Sequence, residues 1–159
     1  AIPEFWWYPM RRGTTRVETE AFLKRRMDAW AAHGFDLWAA VLRDSGALIG
    51  WAGLSEPTFL PEILPAVEVG WRFDPAYWGR GLATEAGDAG LRFGFEKLGL
   101  DRIVSVFEPE NVKSGRVMER LGMVLDRDTT HPLTHVPVRV MAISRAAWRD
   151  RSGGRGRQG

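Results

Sequence analysis

Val67-Glu68-Val69-Gly70-Trp71-Arg72-Phe73-Asp74-Pro75-Ala76-Tyr77-Trp78-Gly79-Arg80-Gly81-Leu82-Ala83-Thr84-Glu85-Ala86 is the stretch on which the fold turns. An apolar strand runs into Asp74-Pro75, where proline removes a ladder donor and ends the strand. Gly79-Arg80-Gly81 then makes a glycine-bracketed turn, and a helix opens at Leu82. Strand, glycine turn and helix start are the parts of a phosphate cradle. Glycine lets backbone approach a ligand closely, and the first free N–H groups of a helix point outward with the positive end of its dipole. Arg80 adds a cation that can fork onto phosphate oxygens.

No Lys-Ser/Thr follows the second glycine, so the turn is not a Walker loop, and the third glycine of the dinucleotide fingerprint is absent. Alone, Gly-x-Gly reads equally well as punctuation between strand and helix. A downstream stretch adds weight: Glu108-Pro109-Glu110-Asn111-Val112-Lys113-Ser114-Gly115-Arg116-Val117-Met118-Glu119-Arg120-Leu121-Gly122-Met123. A strand over 102–107 stops before Pro109, Asn111 sits where an N-cap belongs, and a helix runs to Gly122.

Together the two stretches resemble the GNAT superfamily of acyl-CoA-dependent N-acetyltransferases, most closely the branch containing the ribosomal-protein N-terminal acetyltransferases. The family's loop, Arg/Gln-x-x-Gly-x-Gly/Ala, corresponds to Trp78-Gly79-Arg80-Gly81-Leu82-Ala83, with Trp78 in place of Arg/Gln. The later stretch is similar to that branch's Asn-x-x-Ser-x-x-Val-Met-Glu-Lys-Leu-Gly-Met, with Arg120 for its lysine. The resemblance spans residues 15–148. It implies an α+β GNAT fold: a mixed, mostly antiparallel central sheet flanked by helices. In that fold the central strand bulges and splays from the next, making a V-shaped slot. The family's usual first strand and first helix are not found ahead of residue 15, which implies an N-terminally incomplete domain or a divergent start.

A chain of 159 residues, 45% hydrophobic, suffices for one domain with a real core. We expect that domain over 1–150, followed by a disordered Gly/Arg-rich tail over 151–159. There is no cysteine, which excludes disulfides, thiolate metal sites and a cysteine nucleophile. His33, His131 and His135 make no convincing metal set, because Pro132 argues against a helical His131/His135 pair. Net charge is +2, apolar runs are too short to cross a bilayer, and no signal peptide is evident. The expectation is a soluble cytoplasmic protein without metal, nucleic-acid partner or membrane partner.

Along the chain, Phe5, Trp6, Trp7 and Tyr8 form an aromatic cluster that packs onto the domain or borders the substrate cleft. Thr15-Arg16-Val17-Glu18 is a capping box. It opens a helix to about residue 32, with Ala21, Phe22, Met27 and Trp30 as core contacts and His33-Gly34 as its stop. Apolar runs over 37–42 and 47–54 flank the turn Arg43-Asp44-Ser45-Gly46. A proline-rich loop over 56–65 leads to a strand over 66–73. A helix over 82–98 ends at Gly99, with a strand over 103–107 beyond it. Closing strands fall over 123–125 and 136–144, with a loop over 129–137.

Acetyl transfer from a thioester to an amine needs a held cofactor, a neutral amine, donors for the oxyanion and a tolerable leaving group. The turn amides of Gly79, Arg80, Gly81, Leu82, Ala83 and Thr84 would take the pyrophosphate of acetyl-CoA. The resemblance implies that the backbone of Trp71, Arg72 and Phe73 pairs with the pantetheine arm like an added strand. Glu68, alone in an apolar strand, is the candidate base; orienting a neighbour, or facing solvent, is the competing role. Many GNAT enzymes use as acid a tyrosine seven residues after the asparagine. Here Met118 stands at that position, so it is a cofactor contact at most. Ser114 matches a serine given the acid role in the ribosomal-protein branch, and either donates to sulfur or binds CoA. Asn111 is helix cap and cofactor or water ligand. A thiol like that of CoA has a pKa of roughly 8.5, so transfer without a dedicated acid is chemically reasonable.

The acceptor is a small-molecule amine or a protein N-terminus. Trp6, Trp7, Trp38, Trp51 and the loop over 129–137 are candidate pocket walls. An open sheet edge could recruit a second copy into a homodimer. The competing reading is a non-catalytic acyl-CoA-binding module, motivated by Met118 and the missing N-terminal elements. A generic nucleotide-binding domain is disfavoured, because no carboxylate is evident for a ribose or metal.

Overall fold

The computed structural model describes residues 12–155, with backbone alone for 152–155. The aromatic residues Phe5, Trp6, Trp7 and Tyr8 lie outside the described residues. Helix α1 (Arg16–His33) starts at the expected capping box: the Thr15 hydroxyl accepts from the Glu18 N–H, and the Glu18 carboxylate accepts from the Thr15 N–H at 2.8 Å. It stops at Gly34, whose φ of 73° is the left-handed C-cap. No residue of α1 is buried, so it rides over the sheet on a narrow stripe. Phe22 and Trp30 lie on that stripe, with ring centroids 6.2 Å from Trp51 and 6.3 Å from Trp38. Ala21 and Met27, expected in the core, are exposed, Met27 at 71%. A helix advances 100° per residue, so positions one before and five after Phe22 fall well off its stripe.

The sheet comprises β1 (Leu37–Val41), β2 (Leu48–Ser55), β3 (Glu68–Phe73), β4 (Arg102–Phe107), β5 (Val124–Thr130) and β6 (Pro137–Ser144). Their spatial order is β1-β2-β3-β4-β6-β5, antiparallel throughout except for β3 beside β4. This is the mixed, mostly antiparallel α+β architecture expected. Between β3 and β4 runs the crossover α2 (Leu82–Arg92), which widens into a single π turn over Phe93–Lys97 instead of staying α-helical to residue 98. Gly94 sits in that turn; a Cβ there would meet Ile103 Cδ1 at 2.5 Å and Leu54 Cδ1 at 3.1 Å, so glycine lets the helix lie close on the sheet. Below it Leu54, Val69, Leu91, Phe95, Ile103, Met118, Leu121 and Ile143 form the main core. Each such fully buried side chain stabilises the fold by about 1.5–3 kcal/mol.

Strand β5 is longer than the expected 123–125, and the loop expected over 129–137 shrinks to 131–136. The cause is its place at the sheet edge: Val124–Thr130 is nearly all exposed, so no apolar alternation marks it, and β6 supplies its register. Helix α3 (Val112–Arg120) follows the Asn111 cap, and α4 (Arg145–Arg155) packs Trp148 into the core. The backbone of α4 is helical across residue 151, where the tail was expected to begin. Residues 156–159 lie outside the described ones. No described helix is long and apolar enough to cross a membrane.

Candidate functional site: a fork between two parallel strands

Two stiff half-sheets meet at β3 and β4, and there the backbone ladder nearly stops. Glu68 opposite Val104 is the one register pair between these strands, held by the Val104 N–H donating to the Val67 carbonyl at 3.0 Å. Beyond it the strands part. The Val106 N–H donates to Glu68 Oε1 at 3.1 Å, and the Ser105 hydroxyl donates to the Val69 carbonyl at 2.8 Å. The ladder therefore ends where the sequence expects the strands to diverge, and the candidate base stands at that fork.

Glu68 keeps some accessible surface. Burial of its carboxyl nevertheless dominates, pushing the pKa up from 4.5 to about 7 against the opposing bond from the Val106 amide. A carboxyl poised there exchanges a proton near neutrality, the condition for a general base. The competing role also has a basis, since Glu68 does hold a neighbour, the Val106 amide.

Backbone direction alternates along β3. The Val67 and Val69 carbonyls turn toward β4, so the backbone groups of Trp71 and Phe73 turn toward the slot as well. Those of Arg72 turn instead toward Trp51 on β2, its register partner. Side chains alternate too. Val69, Trp71 and Phe73 pack beneath α2, while Glu68, Gly70 and Arg72 share the opposite face. There the Arg72 guanidinium lies 5.5 Å from the Trp51 ring centroid, its pKa lowered to about 10 by burial. Trp51, on β2, thus lies against the Gly70 and Arg72 face of β3. Trp38 is on the other face: its ring packs edge-on against Phe93, with centroids 5.3 Å apart.

At the far end of β3, Asp74 caps a short 3-10 turn over Pro75–Tyr77 and the glycine turn follows. Gly79 and Gly81 have φ of 75° and 79°, which side chains with a Cβ resist. Nothing lies within 4 Å of where a Cβ would stand on either, and no side chain caps α2. The first helical bond of α2 is made by the Glu85 N–H to Gly81, leaving the N–H groups of Leu82, Ala83 and Thr84 ahead of the ladder. The turn is an open cradle, unplugged by its own side chains. Arg80 stands at its rim with its guanidinium 5.7 Å from the Tyr77 ring centroid.

Across the slot, Asn111 Oδ1 accepts from the Ser114 N–H at 3.2 Å, so its cap role is observed. Ser114 is part-exposed in the first turn of α3. Met118 is 2% exposed and belongs to the core. Sequence reasoning missed two features. One is the strap from turn to helix: Trp78 Nε1 donates to the Phe73 carbonyl at 2.8 Å, and Lys113 Nζ sits 4.3 Å above its ring. The other is Ser105, whose signal was available as a lone polar residue in the run Ile103-Val104-Ser105-Val106-Phe107. Among the described residues no cluster of three or more His, Asp or Glu could hold a metal ion.

Comparison with known proteins agrees with this fold. A family profile described as "Acetyltransferase (GNAT) domain" matches residues 1–124. The uncharacterized N-acetyltransferase YnaD of Bacillus subtilis is 39% identical over 113 residues, covering 69% of this chain and 59% of YnaD. The chain spans about half the length of the curated relatives it matches. A GNAT-family acetyltransferase structure from Bacillus anthracis superposes with a TM-score of 0.73 at 26% identity, covering 91% of this chain and 83% of the other. A putative GNAT-family acetyltransferase structure from Bordetella pertussis gives a TM-score of 0.77 at 25% identity, covering 90% and 86%.

Proposed function

The chain belongs to the GNAT acetyltransferases, and we propose that it transfers an acetyl group from acetyl-CoA to a primary amine by direct attack in a ternary complex. One observation carries this reading: the Glu68 carboxyl, with a pKa near 7, sits at the fork of two parted strands whose far end carries an open anion cradle. The cradle fits a diphosphate. The amides of Gly79 to Thr84, with Arg80 at the rim, would hold it. The backbone of Trp71 and the Phe73 N–H would pair with the pantetheine arm, the Phe73 carbonyl being taken by Trp78 Nε1, and the Trp71 N–H would serve a carbonyl oxygen. When bound, acetyl-CoA would supply the acetyl group to be transferred, activated as a thioester whose C–S bond breaks to release CoA.

Glu68 takes up the proton that the amine must lose on attack, directly or through one water. Ser114, with Asn111 bonded to its amide, offers a hydroxyl near the start of α3 that either donates a proton toward sulfur or binds the cofactor. The motif over 111–123 supports the ribosomal-protein acetyltransferase branch, and with it a protein N-terminus as acceptor beside small amines. A cytoplasmic setting and homodimer pairing belong to the same proposal. The non-catalytic module is the weaker reading, because a carboxyl tuned toward neutrality serves proton transfer and not ligand holding.

The test is acetyl-CoA-dependent release of CoA by the whole chain against peptide N-termini, polyamines and aminoglycosides. The expected result is turnover with at least one amine class, rising on the acid side through a pH near 7. Tight acetyl-CoA binding with no transfer to any of them overturns catalysis in favour of the binding module.

A further inference from the structure

The rung that β3 and β4 fail to make can be named. In a parallel ladder the bond from the Val104 N–H to Val67 is followed, two residues on, by a bond from the Val106 N–H to the Val69 carbonyl. Both halves of that rung are instead taken by side chains reaching across from the opposite strand. Glu68 of β3 accepts from the Val106 N–H, and Ser105 of β4 donates to the Val69 carbonyl. Ser105 is 1% exposed, so water is no ready substitute there. Left unmatched, either half would be a buried polar group without a partner, which folded proteins avoid.

We infer that Glu68 and Ser105 form a reciprocal clasp that keeps the β3–β4 slot open one rung deeper than backbone pairing would allow. Ser105 is thereby a positioning residue for the acyl end of the acetyl-CoA site, a role that rests on the acetyl-transfer reading. Loss of the Ser105 hydroxyl frees the Val69 carbonyl, and the Val106 N–H can then return to it. The rung re-forms, and the strands close where the thioester would lie. Loss of the Glu68 acceptor has the same result from the other side. The two side chains that cross from one strand to the other are thus one device.

The experiment measures acetyl-CoA affinity of the full chain by calorimetry, with thermal melts in parallel, for Ser105→Ala, Ser105→Thr, Glu68→Ala and Glu68→Gln. Ser105→Ala and Glu68→Ala should each weaken binding about tenfold, the scale of one net hydrogen bond. Ser105→Thr keeps the hydroxyl and Glu68→Gln keeps a carbonyl acceptor, so both should bind within about twofold of the parent. A lower melting temperature with unchanged affinity in Ser105→Ala makes its bond an ordinary core bond and overturns the clasp. Should Ser105→Ala fail to fold, the Glu68 pair decides: equal affinity of Glu68→Ala and Glu68→Gln overturns it. No acetyl-CoA binding by the unsubstituted chain overturns the acetyl-transfer reading itself, and the clasp with it.

Discussion

Strand β4 has two unlike edges. Toward β6 it pairs without interruption, from Arg102 opposite Ser144 to Phe107 opposite Arg139. Toward β3 it has a single register pair before two side chains take over. The neighbour across the gap is equally stiff, since β3 is paired with β2 from Glu68 opposite Ser55 to Phe73 opposite Gly50. A slot between two well-paired half-sheets is preorganised: its width is set by the ladders on either side, and binding need not order loose chain. The continuous edge serves stability, and the interrupted edge serves chemistry.

The sharpest way to break that division is Glu68→Gln. At the interrupted edge it should lower kcat about 10²- to 10⁴-fold, the usual worth of a general base, while acetyl-CoA affinity stays near the parent value. Pre-steady-state CoA release separates the chemical step from binding, and an unchanged kcat would leave Glu68 a structural clasp alone. Ile103→Ala is the counterpart on the continuous side. Ile103 is fully buried opposite Ile143, so the truncation should cost about 2–5 kcal/mol. Differential scanning calorimetry should then show a Tm lower by about 5–15 °C. The folded fraction should bind acetyl-CoA as before; a matching loss of affinity would show that the two edges are not separable.

Much of this contrast is legible in the amino-acid order, and part is not. Local chemistry reads well: the Thr15/Glu18 box, the stop at Gly34, and the strand end at Asp74-Pro75 each depend on residues within one turn of one another. The open turn at Gly79 and Gly81 is legible for the same reason. Strand β5 is not, because an exposed edge strand bearing Asp126, Arg127 and Asp128 draws its register from β6 and not from its own pattern. The π turn depends on Gly94 meeting Ile103, a contact between distant elements. Glu68 stands out in sequence as the one carboxylate in a largely apolar strand. Its partnership with Ser105 needs the parallel register, which no local pattern encodes.

Arg80→Ala probes the far end of the slot. A charge-assisted contact contributes about 1.5–3 kcal/mol, so acetyl-CoA affinity should fall roughly 10- to 100-fold while kcat at saturation changes little. Isothermal titration with CoA and with dephospho-CoA checks whether the loss resides in the diphosphate. A large fall in kcat with affinity intact would exchange the roles assigned to the two ends.

A pH series tests whether the fork is as dry as its chemistry requires. Glu68 has a folded pKa of about 7 against an ordinary 4.5. Between those values the folded chain retains a proton that the unfolded chain has released. As pH rises through this window the folded state loses relative stability, and above it the penalty is complete. Glu68→Gln carries no such penalty. Its Tm relative to the parent should therefore be near zero at pH 4.5 and grow to a plateau above pH 7, at about 2–4 °C for each kcal/mol. Other titrating groups are common to both proteins and cancel in the difference. A difference flat across pH 4.5 to 8 would mean that water reaches the Glu68 carboxyl as it reaches a surface carboxylate. The interrupted edge would then be an ordinary wet seam, with nothing in its electrostatics to set it apart from the continuous one.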